Sequence, residues 1–113
     1  MPHHFEQLTQ DADIIAARYR LNANHPCFAG HFPDSPILPA VAQLQILEAL
    51  LTEATGKRQR IQAAGNIKYL HPLVPNDLLK IELHHKSNGF SFRILANDTL
   101  ASQGNIEAEE ESA

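Results

Sequence analysis

The chain has 113 residues, of which 43% are apolar, and a formal net charge of -4. That length suits one domain, no Gly/Ser-rich linker divides it, and a single domain over residues 1–113 is expected. Four carboxylates, Glu107, Glu109, Glu110 and Glu111, sit near the end of the chain; the body is close to neutral, which argues against nucleic acid as a partner.

Other absences narrow the class. The single cysteine, Cys27, cannot form an intrachain disulfide and has no basic neighbour in sequence to activate it, so it reads as a small buried residue. No apolar run approaches the roughly 18 residues that span a bilayer, and the opening MPHHFEQLTQ lacks the pattern of a signal peptide. Membrane insertion is not expected, and the cytoplasm is the expected compartment. A domain of this size hides only about two-thirds of its unfolded surface, so dimerisation would add useful burial. The acidic end, from about residue 107, reads as a frayed terminus.

Taken in chain order, residues 13–21 mix Ile14, Ile15, Tyr19 and Leu21 with Arg18 and Arg20, a partial alternation that predicts a strand. Next comes NHPCFAGHFPDSPILP, with four prolines in sixteen residues, a density that forbids regular helix and predicts an extended, turning loop. Pro39 then stands where a helix can begin, AVAQLQILEALLTEAT over residues 40–55 is built of helix formers, and Gly56 is a suitable stop. Val41, Leu44, Ile46, Leu47, Leu50 and Leu51 spread round this helix and predict burial on most sides. Strand-like runs follow at about 59–70, 78–86, 89–96 and 99–108, with turn chemistry at 75–77 and 87–89. One buried helix with about five or six antiparallel strands is an α+β arrangement, the sheet wrapped round the helix.

Several residues are candidates for chemistry. His31, in the proline-rich loop, is either a site residue or a structural histidine that hydrogen-bonds backbone carbonyls. On the helix, Val41, Gln45, Glu48 and Thr52 fall on one stripe, and a carboxylate on so apolar a helix needs a partner or a shifted pKa. His25, His71, His84 and His85 match no compact zinc spacing, and the adjacent pair would face opposite sides of a strand. No metal site is expected. Asp34 and Ser35 are good turn residues that also sit where a phosphopantetheine arm could pass, and Lys57, Arg58 and Arg60 form a small cationic cluster that could meet an acidic partner or simply be a solvated helix end.

Two stretches carry a resemblance. Gly30-His31-Phe32-Pro33-Asp34-Ser35-Pro36-Ile37-Leu38-Pro39-Ala40-Val41, running into the helix, resembles the active-site motif of the FabA/FabZ 3-hydroxyacyl-[acyl-carrier-protein] dehydratases, in which G-H-F-P and P-[VI]-[LM]-P-G precede the central helix. The stretch from Asn66 to Ile81 is similar to that family's K-F-x-x-P-V-x-P-G-D-x-L signature. The form PILPAVAQLQ looks closer to the ApeI-like branch associated with aryl-polyene pigments than to housekeeping FabZ.

This resemblance implies a hotdog fold, a homodimer or larger oligomer, and no cofactor. It also implies an acyl-carrier-protein-bound, or coenzyme A-bound, 3-hydroxyacyl substrate that loses water to give the trans-2-enoyl thioester in fatty-acid-like or aryl-polyene-type synthesis. His31 matches the family base. The helical Glu or Asp that partners it, fourteen residues on, is replaced by Gln45; an amide orients but does not supply a proton, leaving Glu48 as the nearby acid. Gly30, Phe32, Pro33, Pro39, Ala40 and Val41 would line the substrate path, with Phe28 beside them. Ala40 takes the place of the family's glycine, and its backbone N–H would face the thioester carbonyl. A hotdog thioesterase, and a non-catalytic acyl or carrier-protein-binding subunit paired with an active homologue, stand as alternatives.

Overall fold

The computed structural model describes residues 3–24 and 37–111. Its elements are β1 (Glu6–Gln10), β2 (Ile14–Arg20), α1 (Ala40–Thr55), β3 (Gln59–Tyr69), β4 (Leu78–Lys86), β5 (Gly89–Ala96) and β6 (Thr99–Glu110). The strands form one antiparallel sheet in the order β1-β2-β4-β5-β6-β3.

Alternation sets which face of the sheet is buried. In β2, Ile15, Ala17 and Tyr19 are buried; in β4, Leu79, Ile81 and Leu83; in β5, Phe92, Ile94 and Ala96. The unbroken β2–β4 register, from Ile14 opposite His84 to Arg20 opposite Leu78, keeps these side chains on one side. They join Ile46, Leu47, Leu50 and Leu51 of α1 in one core cluster. Each buried Ile, Leu or Phe among them contributes about 1.5–3 kcal/mol by leaving water. The other face is polar: Glu82 at its centre lies within 3.4 to 3.6 Å of Lys80, His84 and Arg93.

The helix has the expected bounds. Pro39 is its N-cap, in extended conformation, and Gly56 closes it at φ 73 with its N–H on the Thr52 carbonyl. Both ends rest on backbone restriction: Pro39 has no N–H to lose, and Gly56 enters the left-handed region without a Cβ clash.

Two features depart from the sequence reading. β1 was not foreseen; its burial is almost uniformly low, Gln7 sits at φ 51, and a bulge separates Glu6 from Thr9, so no alternation marks it. The expected fraying from about residue 107 is replaced by pairing, since β6 runs to Glu110 alongside Gln59, Arg60, Ile61 and Ala63 of β3. The helix is buried on most sides, as expected, with an open stripe at its start, where Val41 is 63% exposed and Gln45 is exposed.

In the β1–β2 turn, the Asp11 carboxylate accepts the N–H groups of Asp13 and Ile14 at 2.7 and 2.8 Å. Those two donors, Asp13 first, hold its carboxyl below the ordinary 3.8.

Candidate active site

The open stripe begins at the N-terminus of α1. The Leu38 N–H bonds the Leu73 carbonyl at 2.8 Å, so the helix entrance is tied to the segment between β3 and β4. Pro39 then offers its carbonyl to the N–H groups of Ala42 and Gln43, at 3.1 and 3.2 Å, and no side chain caps the helix. The first backbone N–H groups of any helix lack intrahelical acceptors. Those of Ala40 and Val41 therefore stand at an exposed helix end whose first turn holds no acidic residue, a setting able to receive a carbonyl oxygen.

One turn further, Gln45 is exposed and its side chain makes no hydrogen bond among the described residues. Glu48, the next polar side chain on the stripe, is partly buried, and its Oε2 accepts the Ile61 N–H of β3 at 2.8 Å. Below it, the Thr52 hydroxyl accepts the Gln59 N–H at 3.0 Å. The stripe thus has two parts: Val41 and Gln45 are open, whereas Glu48 and Thr52 fasten the helix to the start of β3.

The structure therefore gathers Pro39, Ala40, Val41, Gln45 and Glu48 onto one end and one side of α1. Gly30, His31, Phe32 and Pro33 lie outside the described residues, as do His25, Cys27, Phe28, Asp34 and Ser35. His84 and His85 face opposite sides of β4 as expected: His84 Nε2 lies 3.4 Å from Glu82, and the His85 ring centroid lies 4.6 Å from that of Phe90. The cationic cluster is engaged within the chain. Lys57 lies 3.4 Å from Glu110, and Arg58 and Arg60 lie 3.3 and 3.7 Å from Glu111. Gln62 also bonds Glu109.

Sequence reasoning missed Gln43 and Ser102. Ser102, fully buried on β6, donates from Oγ to Gln43 Oε1 at 3.0 Å, and Gln43 is itself buried. A polar residue inside the apolar run Ala42 to Leu47 was the available signal.

A cavity of about 440 Å³ lies where β3, β6 and the β4–β5 turn meet, lined in part by Ala64, Gly65, Phe90 and Ile106. None of its lining residues belongs to α1.

Comparison with known proteins gives concordant matches. The family model described as ApeI dehydratase matches residues 7–105. A FabZ 3-hydroxyacyl-[acyl-carrier-protein] dehydratase of Granulibacter bethesdensis is 31% identical over 112 residues, covering 82% of this chain and 66% of that protein, slightly under two thirds of its length. The Zymomonas mobilis FabZ is 30% identical over 124 residues, covering 91% of this chain and 78% of its own. Among solved structures, the dehydratase heterocomplex ApeI:P from Xenorhabdus doucetiae superposes with a TM-score of 0.83 at 25% identity, covering 96% of this chain and 98% of that one. The six-stranded antiparallel sheet with its single described helix is the hotdog arrangement that these matches share.

Proposed function

The chain belongs to the ApeI-like dehydratase family, and from that premise we propose that it removes water from a 3-hydroxyacyl thioester, carried on an acyl carrier protein, to give the trans-2-enoyl thioester. The observation that carries this reading is the family match over residues 7–105, which takes in both the His31 loop and α1.

The residues divide the work as follows. The helix N-terminus at Ala40 receives the thioester carbonyl, and its N–H groups stabilise the negative charge that develops there. The His31 imidazole takes the proton from the α-carbon. The β-carbon then releases its hydroxyl, which leaves as water once it gains a proton. Gln45 orients that hydroxyl through its carboxamide, and Glu48, whose Oε1 has no described partner, is the acid that completes the proton path. Gly30, Phe32, Pro33, Pro39 and Val41 line the acyl path. The setting is the cytoplasm, in fatty-acid-like or aryl-polyene-type synthesis.

We place the working unit as a homodimer. The open edge of β3 and the exposed Val41, Tyr69, Leu70 and Val74 support that reading.

A second reading has one specific observation behind it. Gln45 stands where the family acid would be, and the ApeI:P neighbour is a heterocomplex. A chain without its helical acid could serve as the partner of a homologue that retains one.

The test is to incubate the purified protein, and His31→Ala, with a 3-hydroxyacyl thioester on carrier protein, following enoyl product and free thiol separately by mass spectrometry. Enoyl product that falls at least about a hundredfold in His31→Ala is the expected result. Wild-type turnover in that variant removes His31 as the base, and free thiol without enoyl product establishes a thioesterase. If neither product forms until a homologous acid-bearing chain is added, the heteromeric reading replaces the first.

A further inference from the structure

Asp77 lies in the second of the two stretches that carry the family resemblance, and the chemistry proposed above gives it no task. The residue is 8% exposed, and both of its carboxylate oxygens are engaged. Oδ2 accepts the Val74 N–H at 3.0 Å, and Oδ1 accepts from Asn97 Nδ2 at 3.0 Å. The first bond closes a turn from Val74 to Asp77, in which the Asp77 N–H also reaches the Val74 carbonyl at 3.2 Å. The second joins this turn to the one between β5 and β6, where Asn97 in addition accepts the Leu78 N–H through Oδ1 at 3.2 Å.

The entrance to α1 is fastened to that clamped segment. The Leu73 carbonyl accepts the Leu38 N–H at 2.8 Å, one residue before the Pro39 cap, and both leucines are buried. From the other side, Leu21, just past β2, donates its N–H to the Asp77 carbonyl at 2.9 Å and accepts the Asn76 N–H. Leu21 and Leu38 are thus both held by residues 73–77, and the sequence between them carries His31. Asn76 sits at φ 72, a backbone state that the bonds on either side of it hold. A buried carboxylate with two directed donors is a stiff restraint, because hydrogen bonds to a charged acceptor are strong and a donor left unpaired on burial is costly.

We propose that Asp77 is a positioning residue: by clamping residues 73–77 it sets where α1 begins, and so where the Ala40 and Val41 N–H groups stand. It acts through Leu73 and Leu38 and touches no reacting atom. This rests on the dehydratase reading, in which those N–H groups receive the thioester carbonyl. Donors serve a developing charge only when they are held in place beforehand.

The test exchanges donor and acceptor. In Asp77→Asn two amides meet across the turns, so the Val74, the Leu78 or the cross-turn bond must be lost. Adding Asn97→Asp restores the pattern, with position 77 donating and position 97 accepting, and aspartate tolerates the left-handed backbone at φ 50. Each protein would be read by steady-state kinetics on a 3-hydroxyacyl carrier protein, well below its melting temperature, and by amide exchange at Leu38 relative to Phe92 of β5. Asp77→Asn should lower kcat by about tenfold or more with KM within about twofold, because the carbonyl's donors act in the transition state. Its Leu38 exchange should quicken about tenfold, as expected for one hydrogen bond. The double variant should recover both. Asn97→Ala, a milder lesion, should move both the same way, and it carries the test if Asp77→Asn does not fold. Gly89→Ala, at the other end of β4, should lose stability and keep its kcat. Wild-type kcat or unchanged Leu38 exchange in the folded Asp77 or Asn97 variant overturns the proposal. So does a double variant that regains its melting temperature without its kcat, or an equal kcat loss in Gly89→Ala. Leu38 exchange that responds to Asp77 in a protein forming no enoyl product keeps the tie and sinks the dehydration reading alone.

Discussion

Glu48 commits one carboxylate oxygen to the fold, and the chemistry proposed for it falls to the other. Its Oε2 accepts the Ile61 N–H, a bond that joins mid-helix to the start of β3. Removing the acceptor leaves that partly buried N–H without its partner, so Glu48→Ala should cost about 1–3 kcal/mol in urea unfolding. Glu48→Gln retains an acceptor oxygen and should cost far less. If the other oxygen completes the proton path, the Gln variant, though stable, should still lose turnover by about tenfold or more, since an amide supplies no proton. A Gln variant with wild-type turnover would confine Glu48 to its structural bond. The sequence showed that this carboxylate needed a partner but not which one, because Ile61 lies thirteen positions away and presents a backbone group that every residue type shares. Gln43 stayed hidden for a related reason: its partner Ser102 is on β6, far along the chain, and nothing local pairs them.

The elements were legible where backbone chemistry punctuates the chain. Pro39 and Gly56 bound α1, and the Ser87-Asn88-Gly89 turn separates β4 from β5. Gly89 makes the point quantitatively. It has φ 128, a region that L side chains rarely adopt, and a Cβ there would be driven into the Ile106 carbonyl of β6. Gly89→Ala should therefore destabilise by about 2 kcal/mol or more, through strain and clash together. A melting temperature within a degree of wild type would show that the turn relaxes instead. β1 and the end of β6 were illegible because their pairing does not depend on apolar alternation. The carboxylates at the end of β6 read as a solvated tail until Lys57, Arg58 and Arg60 are seen beside them. These exposed pairs each contribute at most about 1 kcal/mol; the backbone ladder with β3 is the more substantial tie.

At the scale of the whole molecule, the two sheet edges differ. β1 closes one edge with five residues, mostly polar and bulged, which discourages further pairing. β3 closes the other with eleven, and the stretch Ala63, Ala64 and Gly65, between two irregularities, is exposed and uncharged. Val41, Tyr69, Leu70 and Val74 add exposed apolar surface on α1 and around the end of β3. An edge strand of this kind can pair with its own copy across a two-fold axis, and small domains benefit from the extra burial. The 12.5 kDa chain should accordingly sediment as a dimer, and Tyr69→Lys combined with Leu70→Lys should shift it towards the monomer, because both charges would have to lose water on association. Stability measured on that variant at low concentration separates the two ways in which it could fail. A folded monomer without dehydratase activity would mean that the site is completed across the interface, with His31 of one subunit meeting the helix stripe of the other. A folded monomer with full activity would place His31 and the stripe of one chain together. A variant that remains dimeric would exclude these two apolar residues as determinants of the interface.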